Sequence, residues 1–186
     1  MIGILTSLLI GLTVPKETLR FTFVYEQTSD TSCGFSATAT LLNMYWEISI
    51  SEKELLQKYR NEENSSLEIS LAEISRILSD FGCRTKSFKM DMQQITQSII
   101  RYAPALVHFS DPDGHFALVL AVEGNNVIVA DPARGVELVA LQRFEKRWSG
   151  AVLLCVVPGK TCNQENVESA VKSALIKNKN LIKWAR

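Results

Sequence analysis

The sequence predicts an α+β chain in which a helical N-terminal half packs against an antiparallel sheet supplied by the C-terminal half. Two observations carry this. Between residues 33 and 103, apolar side chains recur at helical intervals behind three start signals, Ser51 with Glu54, Ser70 with Glu73, and Asp91 with Gln94. From Ala105 to Val157, short apolar or alternating runs are separated by turn residues, the pattern of antiparallel strands. Helices followed by strands give the α+β class. With 186 residues, 46% of them hydrophobic, the chain has material for one core. Its 20 basic and 20 acidic residues cancel, so no electrostatic case exists for a nucleic-acid partner.

Taken in order, the chain opens on Ile2 to Val14, nearly all apolar and about as long as the core of an export signal, too short to span a bilayer. It reads as a signal sequence or anchor, with a buried first element of the domain as the alternative. No Lys or Arg precedes it and no small-x-small cleavage site follows. Leu19 to Tyr25 (LRFTFVY) alternates as a strand does and delivers the chain to Gln27.

The next stretch, Gln27 to Tyr45, predicts a helix starting at about Cys33. Asp30, Thr31 and Ser32 are cap-type residues, and Phe35, Ala39, Leu41, Leu42 and Tyr45 follow at helical spacing. Cys33 then lies in the first turn, where unpaired N–H groups and the helix dipole favour a thiolate. It is a candidate nucleophile, or else a small buried core residue. Gly34 leaves room for another backbone to approach.

Helices follow from Ser51 through Leu55, Leu56 and Tyr59, and from Ser70 through Ile74, Ile77, Leu78 and Phe81, the latter ended by Gly82. The polar stretch RNEENSSLEIS between them reads as a solvated connector, with a groove lining as the alternative. Asp91 starts a fourth helix through Ile95, Ile99 and Ile100, which Pro104 stops. Strands are predicted at Ala105 to Phe109, Phe116 to Val122, Val127 to Ala130, Val136 to Val139 and Ala151 to Val157.

Two of these strands carry chemistry. His115 opens the run HFALVLAV, Asp131 ends NVIVADP, and the turn Glu123 to Asn126 makes the two strands antiparallel neighbours. The start of one then meets the end of the other, so His115 and Asp131 sit side by side. A cysteine nucleophile needs such a pair: an imidazole to take its proton and a carboxylate to orient the imidazole. His108 reads as a structural or edge histidine. Asp111 and Asp113 read as a turn and not as a calcium site. Trp148 reads as packing at the sheet edge. Cys83, Cys155 and Cys162 lack zinc-ligand spacing and are buried thiols by default, two of which could pair if the protein is exported. No cofactor- or metal-binding pattern is present.

Gln27, five residues, Cys33-Gly34, then Gly114-His115-Phe116, then Val129-Ala130-Asp131-Pro132 with Gly135 following, resembles the papain-like cysteine peptidases that cut bacterial leader peptides after a double glycine, here as a free-standing member without transporter domains. The resemblance runs from about Phe21 to Pro158. It implies a papain-like fold with the active site in the cleft between the helices and the sheet. It also implies that Cys33 is the nucleophile, His115 the general base and acid, Asp131 the orienting residue and Gln27 the oxyanion donor. The substrate it implies is a peptide or protein precursor cut after glycine or a small residue. The chain departs from the family in SCGFSATAT, which is smaller and more polar than the usual helix start. Two other classes stay open, an inactive peptide-binding module of this fold and a thioester-forming acyl or peptidyl transferase.

The expected organisation is an apolar segment (1–15), a peptidase domain (19–158) and a basic amphipathic helix (159–186). That helix would dock on the domain, lie on an anionic membrane or bind a partner such as export machinery. Location is expected to be the periplasm or cell envelope, with the cytoplasm as the alternative.

Overall fold

A computed structural model describes residues 20–60, 67–110 and 114–184, with side chains as far as 178. The apolar N-terminal segment, Asp111 to Asp113, where a turn is expected, and most of the polar connector before Ser70 lie outside these residues. The helices are α1 (Cys33–Thr40), continued by a π-helical turn (Leu41–Tyr45), α2 (Glu52–Tyr59), α3 (Leu71–Asp80), α4 (Met92–Tyr102), α5 (Leu141–Arg147) and α6 (Gln164–Trp184). The strands are β1 (Arg84–Lys89), β2 (Ala105–Phe109), β3 (His115–Glu123), β4 (Asn126–Asp131), β5 (Gly135–Ala140) and β6 (Trp148–Val156). They form one sheet in the order β1-β6-β2-β3-β4-β5, with every pairing antiparallel.

Alternation along the strands divides the core in two. Leu106, Leu118, Ile128 and Leu153 face α1, α2, α3 and α6, which contribute Phe35, Leu55, Ile74, Ile77 and Ala170. Val107, Ala117, Val119, Val129 and Val152 face the other way, onto Ile95 and Ile99 of α4 and Phe144 of α5. Both faces of the sheet are therefore covered, and α4, although part of the helical half, lies on the face opposite α1.

All three predicted capping boxes form. Ser51, Ser70 and Asp91 each accept from the N–H three residues on, and Glu54, Glu73 and Gln94 each return a bond to the cap N–H. Each such cap stabilises its helix by about 1 kcal/mol. The β3–β4 hairpin turns through Gly124, at φ 58°, with Glu123 paired to Asn126.

The expected strand at Leu19 to Tyr25 is corrected: residues 20–25 form turns. Their backbone groups bond to α1 and the π turn instead of to a sheet. Tyr25 N–H donates to Thr40 Oγ1 at 2.9 Å, Ser36 Oγ donates to Tyr25 O at 2.8 Å, and Tyr45 OH donates to Phe23 O at 2.9 Å. The small polar residues of SCGFSATAT thus hold the incoming chain against the helix that starts at Cys33.

β1 and α5 were not expected. β1 (RTKSFK) is an edge strand bonded only to β6 and largely exposed, so its charges hide the alternation. α5 has seven residues and no side-chain cap. Trp148 is buried against Phe144, ring centroids 5.4 Å apart, with its indole N–H on Ala151 O at 3.1 Å, which makes it a core residue.

The described part of α6 docks on the domain. Val167, Ala170 and Ala174 join the core beside the π turn. Asn163 N–H donates to Tyr45 O at 2.8 Å and Asn166 Nδ2 to Met44 O at 2.7 Å. Among the described residues, no helix is long and apolar enough to cross a membrane.

Candidate active site

Cys33 is the first residue of α1, as its sequence context predicts. None of the cap-type residues before it caps the helix. Ser32 Oγ turns back to Ser29, donating to its O at 3.0 Å and accepting from its N–H at 3.1 Å. The first turn therefore keeps N–H groups free of side-chain acceptors, which suits a negative charge there.

Gly34 does leave room, but for side chains and not for a second backbone. A Cβ at this position would run into Ile69 Cγ2 and lie 3.2 Å from Phe116 Cδ2. Ile69 and Phe116 pack as core side chains on the bare face of the helix next to Cys33.

His115 and Asp131 meet through the β3–β4 register. Leu118 pairs with Ala130, so Asp131 falls opposite Ala117 and diagonal to His115 on the same face, within reach of a long side chain. His115 Nε2 lies 2.8 Å from Asp131 Oδ1, which also accepts the Ala133 N–H at 2.8 Å. With Nε2 committed to the carboxylate, Nδ1 is the nitrogen left to face the Cys33 thiol, which lies near enough for each group to shift the other's protonation.

The three groups shift one another's protonation. Burial raises the Cys33 thiol, but hydrogen bonds to His115 and from the backbone at Phe116 and Gly34 outweigh it and leave the thiol below 9.0. Burial works against charge on His115, but its bonds to Asp131 and Cys33 and their charges lift it to about 9. Burial raises Asp131, yet the His115 bond and charge and the Ala133 N–H hold it below 3.8. A thiol shifted down beside an imidazole shifted up favours a thiolate–imidazolium pair, a nucleophile and a proton donor in one place.

Gln27 reaches this group from the loop before α1. Its backbone N–H donates to Pro132 O at 3.0 Å, next to Asp131, and its Nε2 donates one hydrogen to Ser29 O at 2.8 Å. Its Oε1 is buried and has no hydrogen-bond partner among the described residues. His108 stands apart: its Nδ1 is 3.2 Å from Ser149 Oγ, its ring packs on Phe116, and burial together with the nearby His115 holds it below 6.5. It lies on β2, inside the sheet and not at its edge. Cys83, Cys155 and Cys162 are free thiols.

Sequence reasoning missed two residues beside the site. Ile69 follows the polar connector and carries no motif. Glu52, the first residue of α2, reads as an ordinary helix-start acid, yet it is 5% exposed and its carboxylate accepts the Thr28 N–H at 3.2 and 3.3 Å.

Comparison with known proteins bears on the whole arrangement. The chain is 29% identical over 146 residues to a Pseudomonas aeruginosa protein named "Probable functional amyloid protease FapD", covering 75% of this chain and 63% of that one. It is 22% identical over 148 residues to the Escherichia coli colicin V secretion/processing ATP-binding protein CvaB, covering 80% of this chain and 20% of that one. The chain thus spans under two thirds of either relative. Among solved structures, the peptidase domain of Streptococcus ComA, a bifunctional ABC transporter involved in quorum sensing, superposes with a TM-score of 0.63 at 20% identity, over 72% of this chain and 97% of that one. A double-glycine-motif protease from an AMS/PCAT transporter, solved with its leader peptide, superposes with a TM-score of 0.60 at 16% identity, over 71% and 89%. These likenesses carry the fold, and the family follows from the sequence itself: the model of the peptidase C39 family matches residues 22–160, and the chain belongs to that family.

Proposed function

We propose that the protein is a cysteine endopeptidase that processes a peptide or protein precursor, cutting after glycine or another small residue. The observation that carries this is His115, bonded through Nε2 to a buried carboxylate and close enough to Cys33 on its other side for the two to shift each other's protonation. In the proposed reaction His115 Nδ1 takes the Cys33 proton and the thiolate attacks the substrate carbonyl. The Gln27 amide, through the hydrogen not given to Ser29, and the Cys33 backbone N–H hold the oxyanion. The imidazolium, steered by Asp131, protonates the leaving amine, and water activated by the same imidazole hydrolyses the thioester.

The preference for small residues is supported by the chain's membership of the peptidase C39 family. It is supported also by the names of the relatives, a double-glycine-motif protease and a secretion/processing protein. Export machinery is the partner and the cell envelope the location that belong with such a substrate.

The test is digestion of a peptide library in which Gly-Gly, Gly-Ala, Ala-Ala and Leu-Leu precede the scissile bond, read by mass spectrometry, with wild type and Cys33→Ala. Cleavage confined to the small-residue peptides and absent in Cys33→Ala is expected. Equal cleavage after Leu-Leu, or cleavage that survives Cys33→Ala, overturns the reading.

A further inference from the structure

The loop between Gln27 and Ser32 is tied down mostly by itself. Ser29 and Ser32 bond to each other, the Gln27 side chain bonds to Ser29 O, and the Gln27 N–H reaches across to Pro132 O. A further anchor comes from the helical layer. Glu52, at the start of α2, points its carboxylate at the Thr28 N–H, both oxygens within 3.3 Å.

Glu52 as a residue is 5% exposed, and its carboxylate forms no ion pair among the described residues. Burying a carboxylate without a counter-ion opposes folding, and an alanine or glutamine would avoid the cost. The bond it makes sits at an informative place. The Thr28 N–H belongs to the peptide unit that carries the Gln27 carbonyl, directly between the Gln27 side chain and Ser29, whose carbonyl takes one hydrogen of the Gln27 amide. Ser29 O is held by the Ser32 N–H and hydroxyl, so a turn of the Gln27–Thr28 peptide unit would shift the Gln27 Cα and side chain against that fixed acceptor and redirect the amide.

We infer that Glu52 is a positioning residue of the active site. By holding the Thr28 N–H it fixes the direction of the second Gln27 N–H, the one offered to the oxyanion. This rests on the peptidase reading and extends it to a residue in a different helix, remote in sequence from the reacting groups.

The experiment compares wild type with Glu52→Ala, which removes the acceptor, and Glu52→Gln, which keeps one. Three quantities are read on the folded proteins: kcat and KM on a cleaved peptide, inhibition by a peptide aldehyde, whose thiohemiacetal carries an oxyanion, and the rate of Cys33 alkylation by iodoacetamide, which needs no oxyanion. In Glu52→Ala, kcat is expected to fall and aldehyde binding to weaken by roughly tenfold to a hundredfold, a part of what loss of a whole oxyanion donor costs. KM and the alkylation rate are expected to stay within about twofold, and Glu52→Gln should recover most of the loss through its side-chain carbonyl. Unchanged kcat and aldehyde binding in Glu52→Ala overturn the inference. So does alkylation that slows in parallel, which would make Glu52 a general support of the fold, and so does a Glu52→Gln variant as impaired as Glu52→Ala. A wild type that cleaves no peptide and binds no aldehyde overturns the peptidase reading itself, and this inference with it.

Discussion

Removing the Asp131 carboxylate should move the alkaline limit of activity and the pH dependence of stability together. His115 rises from 6.5 to about 9 although burial works against its charge, and Asp131 is the largest influence that raises it. At about 1.4 kcal/mol per pH unit, that difference corresponds to about 3 kcal/mol of interaction favouring the folded imidazolium, shared between Asp131 and the Cys33 thiolate. Because the folded value lies above the unfolded one, this stabilisation is fully present below 6.5 and is lost as pH rises through about 9. In Asp131→Ala burial remains and the main compensation is gone, so the imidazolium should deprotonate at much lower pH. The first assay is kcat/KM on a cleaved peptide from pH 5 to 10. Wild type should lose activity with an apparent pKa of about 9 on the alkaline side, a property of the coupled Cys33–His115 pair, and the variant's limit should fall by more than one pH unit. The second is urea unfolding at pH 6 and pH 10. The variant's deficit should be the larger at pH 6, by up to about 3 kcal/mol. An alkaline limit that stays where it is in Asp131→Ala, or a stability deficit no larger at pH 6 than at pH 10, would refute the electrostatic account of the pair.

Two further outcomes are expected. Iodoacetamide at neutral pH should label Cys33 ahead of Cys155 and Cys162, because burial pushes Cys162 up to about 11 and the hydrogen bond to Cys83, with burial, pushes Cys155 higher still; Cys83 is held down by that same bond and is the thiol that competes with Cys33. Peptide mapping that finds Cys162 modified first would count against a thiolate at Cys33. Gly34→Ala should lose about 1–3 kcal/mol of stability by overpacking against Ile69, and adding Ile69→Ala should recover much of it. Additive losses in the double-mutant cycle would show that the two positions do not compete for the same space.

Much of this protein follows from short-range rules. The capping boxes at Ser51, Ser70 and Asp91 are local hydrogen-bond patterns that form wherever those residues precede an amphipathic run, so these helix starts are readable from the sequence. His115 and Asp131 are brought near each other by the hairpin through Gly124, and a register shift between Val119 and Ala121, which no local pattern announces, puts Asp131 on the face of His115. Cys33 lies at a helix start for local reasons as well, although Ser32, the expected cap, bonds to Ser29 instead.

What the sequence could not decide depends on partners far along the chain. LRFTFVY alternates like a strand, but side chains of α1 and the π turn take its backbone groups. β1 is too charged to read as a strand and becomes one because the β6 edge is open to it. That Cys33 in α1 meets His115 on β3, that Ile69 fills the space Gly34 leaves, and that Glu52 buries a carboxylate against Thr28 are all consequences of packing α1, α2 and the residues before α3 on one face of the sheet. Sequence determined the chemistry available and the local elements that carry it. Tertiary packing alone decided which of those groups lose water to one another, and in that loss of water the protonation of Cys33, His115 and Asp131 is set.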